Sequence, residues 1–189
     1  GMDALSHSME ALFATGFHPF AESIAIGAIK IIKENLVKAY NNGDDLYVRG
    51  MMLTASIMGG AAFQKGLGSM HGISHAIGGL CDKAHGLTIA VVMPYIIKHN
   101  YSAIKEKLSQ LSTVLNLKHN TPSSVLDWII QTREQLQIPN DLQQIGIEQQ
   151  KLGIISEIAI DDPTVSTNPV KMDRDGMLEI LTNAYEGKL

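Results

Sequence analysis

Asp3 and His7 stand at positions i and i+4 near the start of the chain, and His71 and His75 repeat that spacing in its middle, with His85 a short distance beyond. On a helix such spacing puts two side chains on one face, one turn apart. Together these residues offer one hard oxygen donor and up to four ring nitrogens. That set suits a divalent transition metal, because imidazole favours Zn, Fe, Ni or Cu over Mg or Ca. Three histidines and one aspartate would still admit a substrate oxygen if the metal expanded its coordination, and an open position is the mark of a catalytic metal site.

A plainer reading stands beside this one. An Asp–His pair at i, i+4 is ordinarily a solvated helical pair. The cluster His71, His75 and His85 lies among Gly66, Gly68, Gly72, Gly78 and Gly79 in apolar sequence, where buried imidazoles need partners and disfavour one another's charged forms. Spacing alone pairs His71 with His75 as ligands as readily as with His85. His18, His99 and His119 lie beside Pro, Asn or Lys and read as surface residues. Cys81 reads as a small buried hydrophobe, because no Cys–His signature surrounds it. The methionines follow helical faces and read as core filler.

The elements that must position these residues are helical almost throughout. A first helix spans 2–15 and is closed by Gly16 and Pro19. A second runs from about Ala21 to Tyr40, with Ala25, Ile29, Ile32, Leu36 and Tyr40 on one face. Met51 to Phe63 is apolar on every side and rich in small residues, which predicts a helix in the middle of a bundle. Further helices are expected over Gly86–His99, where Pro94 should kink or restart the chain, over 101–115, and from Pro122 to about Leu136 with Thr121 as N-cap. Weaker ones follow near 148–159 and 173–186, separated by an ordered loop from Asp161 to Pro169. No segment makes a convincing strand. The expected fold is an all-α helical bundle.

The chain has 189 residues, 45% of them hydrophobic and 18% charged, with a net charge of −4. This is one domain's length, 1–189, with enough chain for a core that needs no staple. The negative balance argues against a nucleic-acid reader driven by phosphate charge. No uninterrupted apolar run approaches membrane-span length, so no membrane partner is expected. One cysteine and no signal-like start lead to the expectation of a cytoplasmic location. Neither GxGxxG nor GxxxxGK[ST] occurs, so no phosphate-cradling loop is present.

The opening Gly1-Met2-Asp3-Ala4-Leu5-Ser6-His7-Ser8-Met9-Glu10 resembles the segment that begins the helical domain of iron-containing (group III) alcohol dehydrogenases. The run from Gly66 through His71-Gly72-Ile73-Ser74-His75 to Gly79, followed by Ala84-His85-Gly86-Leu87 and Met93-Pro94, resembles that family's histidine signature. Ser166-Thr167-Asn168-Pro169 is similar to its C-terminal end. The departures are modest: Lys83-Ala84 precedes His85 where a proline is usual, and Gly72-Ile73-Ser74 replaces commoner small residues.

The resemblance implies a helical bundle of the iron-containing alcohol dehydrogenase and dehydroquinate synthase-like type. It implies that Asp3, His7, His71 and His85 hold Fe²⁺ or Zn²⁺, and that His75 is not a ligand but a catalytic neighbour that moves a proton or positions the reactants. It implies an oxidoreductase that interconverts a small alcohol and an aldehyde or ketone with NAD(P). The family's nucleotide-binding domain is absent from these residues, so NAD(P) is expected only with a separate domain of that kind. A non-catalytic metal-binding or oligomerising domain is the alternative reading. A helical metallohydrolase is disfavoured, since the adjacent His–Asp pair of such enzymes does not occur. A face built to close against another domain leads to the expectation of a homo-oligomer.

Overall fold

The computed structural model describes residues 1–189, folded as eight α-helices and three short 3₁₀ turns, with no strand. The helices are α1 (Met2–Phe13), α2 (Pro19–Asn41), α3 (Leu46–Ala62), α4 (Ser69–Cys81), α5 (His85–Val114), α6 (Pro122–Gln135), α7 (Leu152–Ile160) and α8 (Arg174–Glu186). Several are started by local side chains. The Val48 amide donates to Asp45 Oδ1 at 3.0 Å and the Gly176 amide donates to Asp173 Oδ1 at 2.8 Å, each satisfying one of the orphan amides of a first turn. Thr121 and Ser124 close a capping box at α6, as the sequence predicts for that helix start.

The short helix α1 is central. Ten of its 12 residues are buried, and it packs against α2, α3 and α5. Its apolar side chains Leu5, Met9 and Leu12 join Ile29 and Ile32 of α2 and Ile89, Met93 and Ile96 of α5 in one continuous core of 44 residues. At about 1.5–3 kcal/mol per large buried apolar side chain, this core holds α1 in place. The few polar groups on α1 are therefore held by a rigid scaffold.

Two expectations are corrected and one element is added. The two helices predicted over Gly86–His99 and 101–115 are one helix of 30 residues, with Pro94 inside it. Proline removes an amide there and crowds the preceding turn. Arg133 of α6 packs beside this turn, donating from Nη1 to Val91 O at 3.2 Å and from Nη2 to Asn140 Oδ1 at 3.1 Å. Secondly, the glycine-rich stretch around His71, given no bounds from sequence, is helix α4, so the i, i+4 relation of His71 and His75 is a helical one.

Thirdly, α3 does not lie in the middle of the bundle. Only Val48, Ala55, Gly59 and Ala62 are buried on it, whereas Leu46, Tyr47, Leu53 and Ile57 are exposed. The small residues make its packing face because they let it approach α1 closely. A Cβ on Gly59 would lie 3.1 Å from Ala4 O and 3.3 Å from His7 Cβ. The stretch Leu46–Lys65, with mean hydropathy 1.2, is also long and apolar enough to cross a membrane by length and composition, where the sequence reading expects no such segment. In this fold it rests against α1 and α2.

Gly59→Val should therefore lower unfolding stability by about 1–3 kcal/mol, the usual range for overpacking. Leu53→Ser and Ile57→Ser on the opposite face should stay within about 0.5 kcal/mol of the parent. Urea unfolding followed by circular dichroism measures both.

Candidate metal centre

Asp3, His7 and Glu10 lie at i, i+4 and i+7 of α1 and so share one face of it. Opposite stand His71 from the first turn of α4 and His85, the first residue of α5. Ligand atoms of Asp3, His7 and His71 lie within 4.8 Å of one another. Asp3 Oδ1 is 3.6 Å from His71 Nε2 and 3.3 Å from His85 Nε2, and Asp3 Oδ2 is 3.8 Å from His7 Nδ1. The rings of His7 and His71 stack with centroids 4.7 Å apart. Four donors from three helices thus converge, although the nearest in sequence to His71 is 14 positions away.

The far sides of the His71 and His85 imidazoles are also engaged. Glu10, 4% exposed, accepts the Met70 amide at Oε1 (2.7 Å) and His71 Nδ1–H at Oε2 (2.5 Å). A carboxylate only accepts, so the ring must be protonated at Nδ1. Asn168 completes the start of α4 by accepting the Ser69 amide at 3.2 Å. For His85, Ser74 Oγ lies 2.9 Å from Nδ1 and 3.1 Å from the His85 carbonyl oxygen. The single hydroxyl proton goes to that carbonyl, and the oxygen receives Nδ1–H. Both rings accordingly turn Nε2 toward Asp3, as outer partners of metal-ligating histidines do.

Asp3 Oδ1 and His71 Nε2 are buried and have no hydrogen-bond partner. With Nδ1–H given to Glu10, a neutral His71 would face the Asp3 carboxylate lone pair to lone pair. Such a pair of acceptors is stable only with a positive charge between them. Ligand bonds of about 2.1 Å in a tetrahedral zinc site put neighbouring donors roughly 3.4 Å apart, and the separations from Asp3 Oδ1 fall near that spacing. The buried His/Asp cluster therefore fits a divalent Fe²⁺ or Zn²⁺ ion of the kind this donor set prefers.

The electrostatics follow the same arrangement. Burial opposes a charge on His71, but Asp3 and Glu10 together outweigh it and raise its pKa to about 9. The facing His71 ring holds Asp3 down at about 2, against burial and with help from His7 and His85. His7 and His85 are both lowered, first by burial and then by neighbouring imidazoles, with Asp3 acting in the opposite sense. A single proton on His71 occupies electrostatically the place a cation would take.

His75 takes no part in the Asp3 contacts. Its ring lies beside those of His71 and His85, at 5.8 and 5.4 Å between centroids, and its Nδ1 lies 2.8 Å from Asp162 Oδ2. His18 and His119 are exposed and His99 is half-buried; Cys81 is half-buried rather than buried. His18 also has a local role, accepting the Ala21 amide at the start of α2. Sequence reasoning misses Glu10, Ser74 and Asp162. Glu10 carried a signal, its i+7 relation to Asp3, whereas Asp162 is 87 positions from His75 and carried none.

Glu10→Gln should weaken metal binding about 10–100-fold. The amide has one accepting oxygen, and the Met70 amide claims it. The NH₂ group then donates into His71 Nδ1 and moves the ring proton to Nε2. Metal titration against a competing chelator measures this. For the metal-free chain, a raised folded pKa means that His71 contributes stability fully below about 6.5 and loses it as pH rises through about 9. The melting temperature of the parent relative to His71→Gln should thus fall between those pH values, as read by calorimetry with chelator present.

Comparisons with known proteins place this chain in a family. The family described as Fe-containing alcohol dehydrogenase, C-terminal, matches residues 1–185. The NADPH-dependent butanol dehydrogenase of Clostridium saccharobutylicum is 34% identical over 196 residues, covering 99% of this chain and 50% of that protein. The NAD-dependent methanol dehydrogenase of Bacillus methanolicus is 32% identical over 191 residues, covering 97% and 50%. The solved iron-containing alcohol dehydrogenase from Thermococcus thioreducens superposes with a TM-score of 0.90 at 26% identity, over 99% of this chain and 50% of that one. The chain spans about half the length of these relatives. With its all-helical bundle and its converging aspartate and histidines, it belongs to the iron-containing alcohol dehydrogenase family, whose C-terminal part it matches.

Proposed function

We propose that this chain forms the metal-binding wall of an alcohol dehydrogenase site that interconverts a small alcohol and its aldehyde or ketone with NAD(P), the nucleotide being held by a separate domain. The observation that carries the proposal is the pair of buried, unpartnered atoms Asp3 Oδ1 and His71 Nε2, set in a chain of this family. Asp3, His7, His71 and His85 would hold the ion. A divalent cation bound there supplies Lewis-acid polarisation of an alcohol or carbonyl oxygen, while the nicotinamide exchanges the hydride.

The chain's own residues do the rest. Glu10 and Ser74 would take Nδ1–H of His71 and of His85 and so direct each Nε2 at Asp3. Asp3, half-open to solvent beside the buried His71, forms the boundary between the closed and accessible sides of the site. His75, 45% exposed next to the ligand rings, would take the hydroxyl proton during oxidation and return it during reduction.

The purified chain should bind one equivalent of divalent metal, and His71→Ala or His85→Ala should lose it. Elemental analysis measures the occupancy. The same metal content in both variants as in the parent would overturn the assignment.

A further inference from the structure

Asp162 precedes the 3₁₀ turn Pro163–Thr167 and is fixed from two sides. Its Oδ1 accepts the Thr164 amide at 2.9 Å and the Thr164 hydroxyl at 2.6 Å. Its Oδ2 lies 2.8 Å from His75 Nδ1. Three bonds leave the carboxylate little freedom, and its side chain is only 18% exposed. The approach of this segment to α4 depends on Gly72, where a Cβ would lie 2.5 Å from Val165 Cγ2 and 3.0 Å from Ala159 O. The bare face of α4 one turn before His75 thus brings the turn after α7 within reach of the ring.

We propose that Asp162 is a positioning residue for His75, fixing its ring with the proton on Nδ1 and the lone pair on Nε2. The inference rests on the reading of His75 as the proton-handling group of this site. A carboxylate accepts but does not donate, so Nδ1 must carry hydrogen and Nε2 is left as the acceptor. When Nε2 takes a proton from a substrate hydroxyl, the O–H bond breaks, an Nε2–H bond forms and the ring becomes an imidazolium. Asp162 Oδ2 then faces that positive charge at hydrogen-bond distance, which stabilises it. The reverse transfer restores the Nδ1–H ring. Asp162 acts only through His75 and touches no reacting atom.

The isosteric variant Asp162→Asn separates this role from a structural one. Thr164 presents two groups to Oδ1 and His75 only one to Oδ2, so the amide oxygen turns to Thr164 and the NH₂ group faces His75. That NH₂ donates into Nδ1 and drives the ring proton to Nε2. The experiment is two-bond ¹⁵N–¹H correlation of the histidine rings in the labelled chain at about pH 8, above the ordinary imidazole range. His75 is assigned from the spectrum of His75→Gln. The expected result is a parent ring mostly in the Nδ1–H form and loss of that form in Asp162→Asn and Asp162→Ala, with melting temperature and zinc content unchanged in Asp162→Asn. A parent His75 mostly protonated at Nε2, or an Nδ1–H form that persists in Asp162→Ala, would overturn the proposal. The spectra are recorded with and without Zn²⁺, because the Asp162–His75 bond needs no metal. Failure of the parent to bind zinc therefore strikes at the proposed function, while Asp162 is judged on the ring proton alone.

Discussion

A carboxylate buried at the meeting of two helices organises this molecule's metal centre. Glu10 is nearly sealed from solvent, and a buried charge is costly unless hydrogen bonds and favourable dipoles surround it. Both of its oxygens are used, one on the Met70 amide at the start of α4 and the other on His71 Nδ1. The positive end of the α4 dipole lies at the same place. One group thus fixes where α4 begins, how it meets α1, and which nitrogen of His71 looks toward Asp3. Helix α4 has no capping side chain of its own at Gly68, so this long-range contact, with Asn168, takes the place of a local one.

The core serves the same end. Helix α1 is buried along most of its length by Leu5, Met9, Leu12 and their neighbours, and the polar face it carries toward α4 is correspondingly immobile. The small-residue face of α3 packs on it from the other side. Preorganisation here means that four donors sit close together before any ion arrives, against mutual repulsion. The opposed shifts of His71 and of His7 and His85 express that tension, because the cluster accommodates one positive charge and resists further ones. A divalent ion bound by the same atoms would satisfy it more fully than a proton does.

Much of the centre could be read from the chain. The i, i+4 pair Asp3 and His7 and the cluster around His71 and His85 are written in short-range spacing, and the resemblance to a known family separates His75 from the ligand set. In the structure His75 Nδ1 faces Asp162 rather than Asp3. The positions of α3 and of the glycine-rich helix α4 were less legible. An apolar, small-residue helix has the same composition whether its small face or its large face is buried, and periodicity does not say which neighbour arrives. Pro94 likewise signals a break where the structure has one continuous helix.

The sequence by itself determined the helical class and the candidate ligands, because hydrophobic period, residue chemistry and local motifs are properties of neighbouring residues. Tertiary structure alone decided which nitrogen of His71, His85 and His75 is tied to an outer partner. That choice is made by Glu10 for His71, by Ser74 for His85 and by Asp162 for His75. Their partners are 61, 11 and 87 positions away. A ring proton follows whichever acceptor packing brings within 3 Å, and no local pattern encodes that encounter.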